Sequence, residues 1–335
     1  MICSLPRLAA TLSGMVVALS LSAPAVAQWK IATVAAPPSM LGLMVDRGAA
    51  AIGVATGDKI TAERLQNPNE QEITQNLLKG QYEMAYVSAT GIGSAIPEMG
   101  VLNTPYQWLS DKERDYVSDK FVAPFVESLL ASRGLVLVRY GEAGWTSLFC
   151  KVDCSTLAKV KGLKFRVAQT AAGKAFAGHI GVSPVPGLSL PDFFAALQKG
   201  DVDAGDLPFS FYMITPAAKL APHFVFTRHS HQPAFWVANK AVWDKLSKAE
   251  QDQIAGALPS VSEVRVRLAG EEAKRTQLHK NSGGFIYELS DAERAEWAQA
   301  VLPAHADLIK SYGGRSKELF DLIQKGKKEF AAQKG

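Results

Sequence analysis

Two related α/β lobes are the fold this sequence predicts, and three observations carry the prediction. Strand-like and helix-like segments alternate along most of the chain, which implies mostly parallel sheets covered by helices. About 300 residues remain once an N-terminal leader is set aside, enough for two domains. Two segments also resemble each other, Leu78-Lys-Gly-Gln-Tyr-Glu-Met-Ala85 and Gln198-Lys-Gly-Asp-Val-Asp-Ala-Gly205. Each ends a helix on Lys-Gly and then enters a strand with an acid and a small residue.

The leader comes first. Arg7 precedes a mostly apolar, uncharged stretch from Leu8 to Ala23, and Ala25-Val-Ala27 is an A-x-A cleavage signal. Residues 1–27 read as a secretory signal peptide, with the mature chain starting at Gln28. The stretch is short for a membrane anchor and no second long apolar run follows it. Export leaves Cys150 and Cys154 in an oxidising compartment, where the C-x3-C spacing allows a small local disulfide.

Residues 28–35 read as a strand entering a Pro-Pro turn, 41–55 as a helix, and 60–65 as a strand. Residues 70–79 form a helix closed by Gly80, and 82–88 a strand. A long helix follows over 112–132, then a buried strand over 135–140. In Lys161-Gly-Leu-Lys-Phe-Arg-Val167, apolar Leu163, Phe165 and Val167 alternate with Lys164 and Arg166, which is strand periodicity. An arginine held on such a strand is a rigid fork for a carboxylate. Ser189 caps the next helix, with Asp192 at the capping-box position. Residues 241–279 are strongly helical, opened by the capping box Ser247-Lys-Ala-Glu250 and interrupted by Pro259. A strand over 285–289 leads to a last capping box, Ser290-Asp-Ala-Glu293, and the terminal helices.

Composition excludes several functions. The chain is 47% hydrophobic and 20% charged, as in ordinary globular proteins, with 36 basic against 32 acidic residues. No basic run with interleaved aromatics is present, so nucleic acid is not an expected partner. His229-x-His231 has metal-ligand spacing but no third ligand nearby, and Asp201, Asp203 and Asp206 lack the glycine and glutamate of a calcium loop. No metal or cofactor is expected. Without G-x-S-x-G, a P-loop or G-x-G-x-x-G, no enzyme is expected either.

In order and spacing, several segments together resemble the extracytoplasmic solute-binding subunit of TRAP (tripartite ATP-independent periplasmic) transporters, of the DctP type. They are Asn69-Glu-Gln-Glu-Ile73, Tyr82-Glu-Met-Ala-Tyr-Val-Ser88, Ile96-Pro-Glu98 and Leu102-Asn-Thr-Pro105. The second half adds 161–167, Ala195-Ala-Leu-Gln-Lys-Gly-Asp-Val-Asp203, His229 and Asn239-Lys-Ala-Val-Trp-Asp-Lys-Leu246. The resemblance implies a two-lobed periplasmic binding protein with the ligand cleft between lobes and a long helix across both. Lobe I would hold 28–143 and 233–272, lobe II 144–232 and 273–315, with 316–335 as a C-terminal helix or tail. It implies a small organic anion as ligand, delivery to small and large TRAP membrane subunits, and a monomer. A periplasmic sensor feeding a signalling receptor is the alternative.

The resemblance makes Arg166 the residue that grips the ligand's carboxylate. Gly144-Trp-Thr146 stands where many members have Gly-Phe-Arg, so Thr146 replaces a second arginine. Leu207 precedes Pro208 where members commonly have Asn. Both changes remove polar contacts, so the expected ligand is a monocarboxylate with an apolar or aromatic body, against which Trp145 and Trp236 could pack. Weaker candidates are Glu70 at a helix start, Ser88 and Thr90 at a strand-to-helix turn, and Asp206, whose carboxylate would repel an anion unless it takes a donor.

Overall fold

A computed structural model describes residues 26–333. The predicted leader falls outside the described residues except for Val26 and Ala27. Among the described residues no helix is long and apolar enough to cross a membrane.

Among the described residues, nine strands form one sheet. They are β1 (Ala27–Thr33), β2 (Ile60–Gln66), β3 (Met84–Ser88), β4 (Leu135–Cys150), β5 (Lys164–Arg166), β6 (Ser183–Val185), β7 (Ala204–Pro208), β8 (His223–Asn239) and β9 (Phe285–Glu288). The order is β2-β1-β3-β8-β4-β7-β5-β6, and β9 pairs with β8. The frame is the antiparallel pair β4 and β8, in register from Leu135 opposite Asn239 to Cys150 opposite His223. Both are rich in the β-branched and aromatic residues that suit a pleated surface. One end of the pair carries the parallel set β3, β1 and β2, and the other carries β7, β5 and β6. Each half is a three-layer sandwich. Trp29, Ile31, Met44 and Trp236 pack one face of the first half, and Ile73, Val87 and Phe235 pack the other. In the second half, Leu148, Phe165 and Phe176 pack one face and Phe149, Phe193 and Phe224 the opposite.

β4 is longer than the strand expected at 135–140. Gly141 and Gly144 break the apolar alternation that marks a strand in sequence, yet pairing continues past them with register shifts, one of them between Glu142 and Gly144. Such a bulge bends a strand. Gly144 has φ +93°, a conformation that favours glycine. Gly141 lets Tyr86 lie against the backbone, where an added Cβ would come within 2.6 Å of the ring.

The expected helix over 112–132 is interrupted. Asp111–Val117 and Ala123–Ser132 are α-helical, and Ser118–Val122 between them is a π-turn. Pro124 has no N–H to give to the preceding turn, and the wider turn accommodates its ring. The region 241–279 divides into Lys240–Trp243, Lys248–Ala257 and the long helix Val261–Asn281, the last starting just beyond Pro259. Ser247 and Ser290 form the expected capping boxes, and Ser260 with Glu263 forms one more. The long helix packs on Met40–Thr56 in the first half and on Phe209–Tyr212 and β9 in the second. The C-terminal helix Ser316–Ala332 packs on Asp111–Val117. Cys150 and Cys154 are joined as a disulfide.

A buried charge cluster ties these parts together beside the β4 bend. Glu142 is 2% exposed. Its Oε1 accepts from His231 Nε2 at 2.6 Å and from the Gly144 N–H at 3.0 Å. Its Oε2 accepts from Arg265 Nε at 3.0 Å and lies 3.6 Å from Arg114. Arg265 also pairs with Asp115. Burial pushes the Glu142 carboxyl up, but His231, Arg114 and Arg265 outweigh it and hold the group well below the usual carboxylate range. Burial pulls His231 below its ordinary value, with Glu142 offsetting part of the effect. A neutral imidazole donating from Nε2 fits both, because buried Nδ1 has no partner.

Replacing Glu142 with Gln removes the buried anion that Arg114 and Arg265 face; the other carboxylate they share, Asp115, is more exposed. Denaturant unfolding should show a loss of about 3–5 kcal/mol, the scale for breaking a buried pair. A loss below about 1 kcal/mol, typical of an exposed pair, contradicts the burial argument. The unfolded imidazole gains its proton near pH 6.5, above the folded His231. The unfolded state then binds more protons, so stability should fall as pH drops from about 6.5 toward the lower folded value. Melting temperatures of wild type and His231→Gln at pH 5.5 and 7.5 isolate this effect, and equal pH slopes would disprove it.

Candidate functional site

A cleft of about 480 Å³ opens between the two halves of the sheet. Thr33, Leu41, Glu70, Ser88 and Thr90 line it from the first half. Arg166, Thr170, Phe176, Leu190, Asp206, Leu207 and Phe211 line it from the second, and Thr146, His229 and Gln232 from the crossing strands. The first-half residues lie at strand ends and helix starts, where ligands of α/β sheets bind. A wider groove of about 570 Å³ runs between Met40–Thr56 and the long helix. It holds exposed Arg47 and lacks residues from β5–β7, so the interlobe cleft is the stronger candidate.

Arg166 is half-buried at the end of β5, with its guanidinium 5.6 Å from the Phe193 ring centre. Its Nε and Nη2 donate to the Leu188 carbonyl at the long distances of 3.4 and 3.3 Å. Burial lowers its pKa and the nearby charge of Asp206 pulls it back up. Among the described residues it makes no ion pair, and it is the one Lys or Arg lining the cleft. Thr146, Leu207, Asp206, Glu70, Ser88 and Thr90 line the same cleft.

Glu70 starts the helix Glu70–Leu78, whose cap is Asn69. Its Oε1 accepts from the Ser88 N–H at 2.7 Å and Oε2 from the Ser88 hydroxyl at 2.8 Å. Burial pushes its carboxyl up, and these two hydrogen bonds offset part of the rise. The Ser88 hydroxyl in turn accepts from the Gly91 N–H at 3.2 Å, capping Ala89–Gly93.

Trp145 and Trp236 are not in the cleft. Trp236 is fully buried in the first-half core, 4.9 Å from Tyr86 and against Gly48. Trp145 lies on the far side of the crossing strands, donating to Asp111 at 3.1 Å, edge-on to His231, with Arg114 and Arg294 near its ring. Strand alternation explains the exchange: Thr146, its neighbour, reaches the cleft instead. The aromatic residues lining the cleft are Tyr86, Phe176 and Phe211.

Sequence reasoning missed Gln232 and Asn103. Gln232 Oε1 accepts from Asn103 Nδ2 at 2.7 Å and from Thr90 at 3.3 Å, while its Nε2 donates to Thr146 at 3.2 Å. The signal was there: the polar run from 227 to 232 inside a strand of otherwise apolar residues. His229 and His231 do not share a ligand. His229 faces Asp206 at 3.3 Å, and His231 faces Glu142. Among the described residues no three His, Cys, Asp or Glu side chains are grouped to hold a metal ion.

Comparison with known proteins agrees with this geometry. The family described as "Bacterial extracellular solute-binding protein, family 7" matches residues 65–311. A solute-binding protein of Verminephrobacter eiseniae is 24% identical over 282 residues, covering 83% of each chain. A TRAP periplasmic solute-binding protein of Bordetella bronchispeptica, with density attributed to pantoate, superposes with a TM-score of 0.78 at 26% identity over 90% of this chain and 98% of that one. One of Roseobacter denitrificans with bound β-D-glucuronate has a TM-score of 0.80 at 19% identity, over 89% and 99% of the two chains.

The Glu70–Ser88 contact needs a glycine beneath it. A Cβ on Gly91 would lie 2.3 Å from Glu70 Cγ and 2.7 Å from Val87 Cγ2. Gly91→Ala should therefore cost about 1–3 kcal/mol in urea unfolding, as overpacking does. An unchanged midpoint would show that the contact is looser than described.

Proposed function

Because the chain belongs to the bacterial extracellular solute-binding proteins of family 7, the periplasmic binding components of TRAP transport, we propose that it captures a small monocarboxylate with an apolar or aromatic body. Its halves close over the ligand and deliver it to TRAP membrane subunits. Members of the family bind small organic acids and are transport proteins, not enzymes.

Arg166 carries the reading. A half-buried guanidinium without a carboxylate partner is a site for a ligand's anionic group, because planar two-point pairing suits a carboxylate. A second cation is absent from the cleft lining, so a dicarboxylate would leave one charge unpaired in a partly desolvated site. Leu41, Phe176, Leu190, Leu207 and Phe211 favour an apolar body. The floor hydroxyls and amides of Thr90, Thr146, Asn103 and Gln232 already bond one another, which leaves fewer of them for a polyhydroxylated sugar acid. Pantoate, attributed to the Bordetella bronchispeptica relative, is a branched monocarboxylate that also carries two hydroxyls.

Ligand-driven closure follows from differential binding: an anion that touches both halves favours the state in which they approach. A thermal-shift screen of aromatic and branched aliphatic acids tests the reading, since a ligand at 100 times its dissociation constant adds about 2.7 kcal/mol to stability. Arg166→Ala should weaken the best hit by about 2–5 kcal/mol, the scale for losing one partner of a buried charge pair. Wild-type affinity in that variant, or a sugar acid as the tightest ligand, would sink the proposal.

A further inference from the structure

We propose that the cleft selects carboxylates bearing a hydrogen-bond donor, a hydroxyl or an ammonium, on the carbon next to the carboxylate, and that Asp206 reads that donor. The inference rests on the carboxylate reading of Arg166. Asp206 lines the cleft and is 8% exposed. Its two oxygens differ. Oδ2 faces His229 Nε2 at 3.3 Å, and a carboxylate only accepts, so the imidazole donates there. The ring is held at Nδ1 by Thr227 at 2.9 Å and by Phe176 stacked on it at 3.7 Å. Oδ1 is buried with no hydrogen-bond partner.

A buried carboxylate oxygen without a donor is costly. The protein does not supply that donor: Arg166 turns Nε and Nη2 to Leu188 and makes no ion pair with Asp206, although the two charges are close enough to interact. A plain carboxylate on Arg166 would sit beside a second negative charge. A donor on the adjacent carbon relieves both problems, since the carboxylate faces the guanidinium while the donor faces Oδ1. Asn103 Oδ1, also buried and unpartnered, adds to this surplus of acceptors, because its Nδ2 already donates to His231 and Gln232.

Calorimetric titration of the intact protein with isovalerate, 2-hydroxyisovalerate and valine tests the proposal on one carbon skeleton. The hydroxy or amino acid should bind on the order of 10- to 100-fold more tightly than isovalerate, as for a hydrogen bond to a charged group. Whichever derivative binds tighter identifies the donor as hydroxyl or ammonium. In Asp206→Asn, His229 keeps its bond to the remaining oxygen and an amide N–H faces the ligand; valine's preference should be lost, and that of the hydroxy acid, whose hydroxyl can only accept from the neutral amide, should fall about tenfold. Equal affinity for all three acids in the wild type overturns the donor proposal and leaves the Arg166 reading standing. A ratio that survives Asp206→Asn removes Asp206 from the role. Binding that needs an added metal cation and ignores the hydroxyl puts an ion at Oδ1 instead and also overturns it. If none of the three binds, the apolar monocarboxylate reading fails and this inference with it.

Discussion

Glu142 is a carboxylate buried where two long strands pass from one half of the molecule to the other. A charge at that depth persists only with partners, and its partners come from separate elements: His231 from β8, Arg114 from the helix Asp111–Val117 and Arg265 from the long helix. Moving any one of them weakens the compensation of a buried charge, which costs more than shifting an exposed pair. The cluster therefore couples the position of the long helix to the bend in β4.

The cleft lies on the other side of the same strands. Alternation of side chains separates the two roles within a few residues. His231 goes to the charge cluster and Gln232 to the cleft; Trp145 goes to the cluster's flank and Thr146 to the cleft. Cleft-lining and charge-cluster residues thus share a backbone without sharing side chains.

The cleft's electrostatics set one cation against two carboxyl groups. Glu70 accepts from the Ser88 N–H and hydroxyl, and burial raises its carboxyl above the ordinary value. Asp206 is held by His229 on one side and open on the other. Selectivity therefore rests less on total charge than on where each donor and acceptor is left unpaired, because desolvated polar groups discriminate most strongly when a ligand fails to meet them.

Much of the architecture was legible in the chain. Period-two alternation marked Arg166 on its strand, capping boxes at Ser247 and Ser290 marked helix starts, and Glu70 was read at the start of a helix. These signals are local, resting on the fixed geometry of one turn or one pleat. What the sequence did not reveal was non-local. Continuation of β4 past Gly141 and Gly144 depends on pairing with β8, which rescues residues of weak strand propensity. Trp145 and Trp236 look alike as apolar aromatics, and only the bulge register and the packing of Gly48 decide that neither meets the ligand. By itself the sequence determined the two-lobed class and the arginine at its cleft. The tertiary structure decided which neighbours face that arginine, because facing is a property of strand register and burial, and both arise only when distant segments meet.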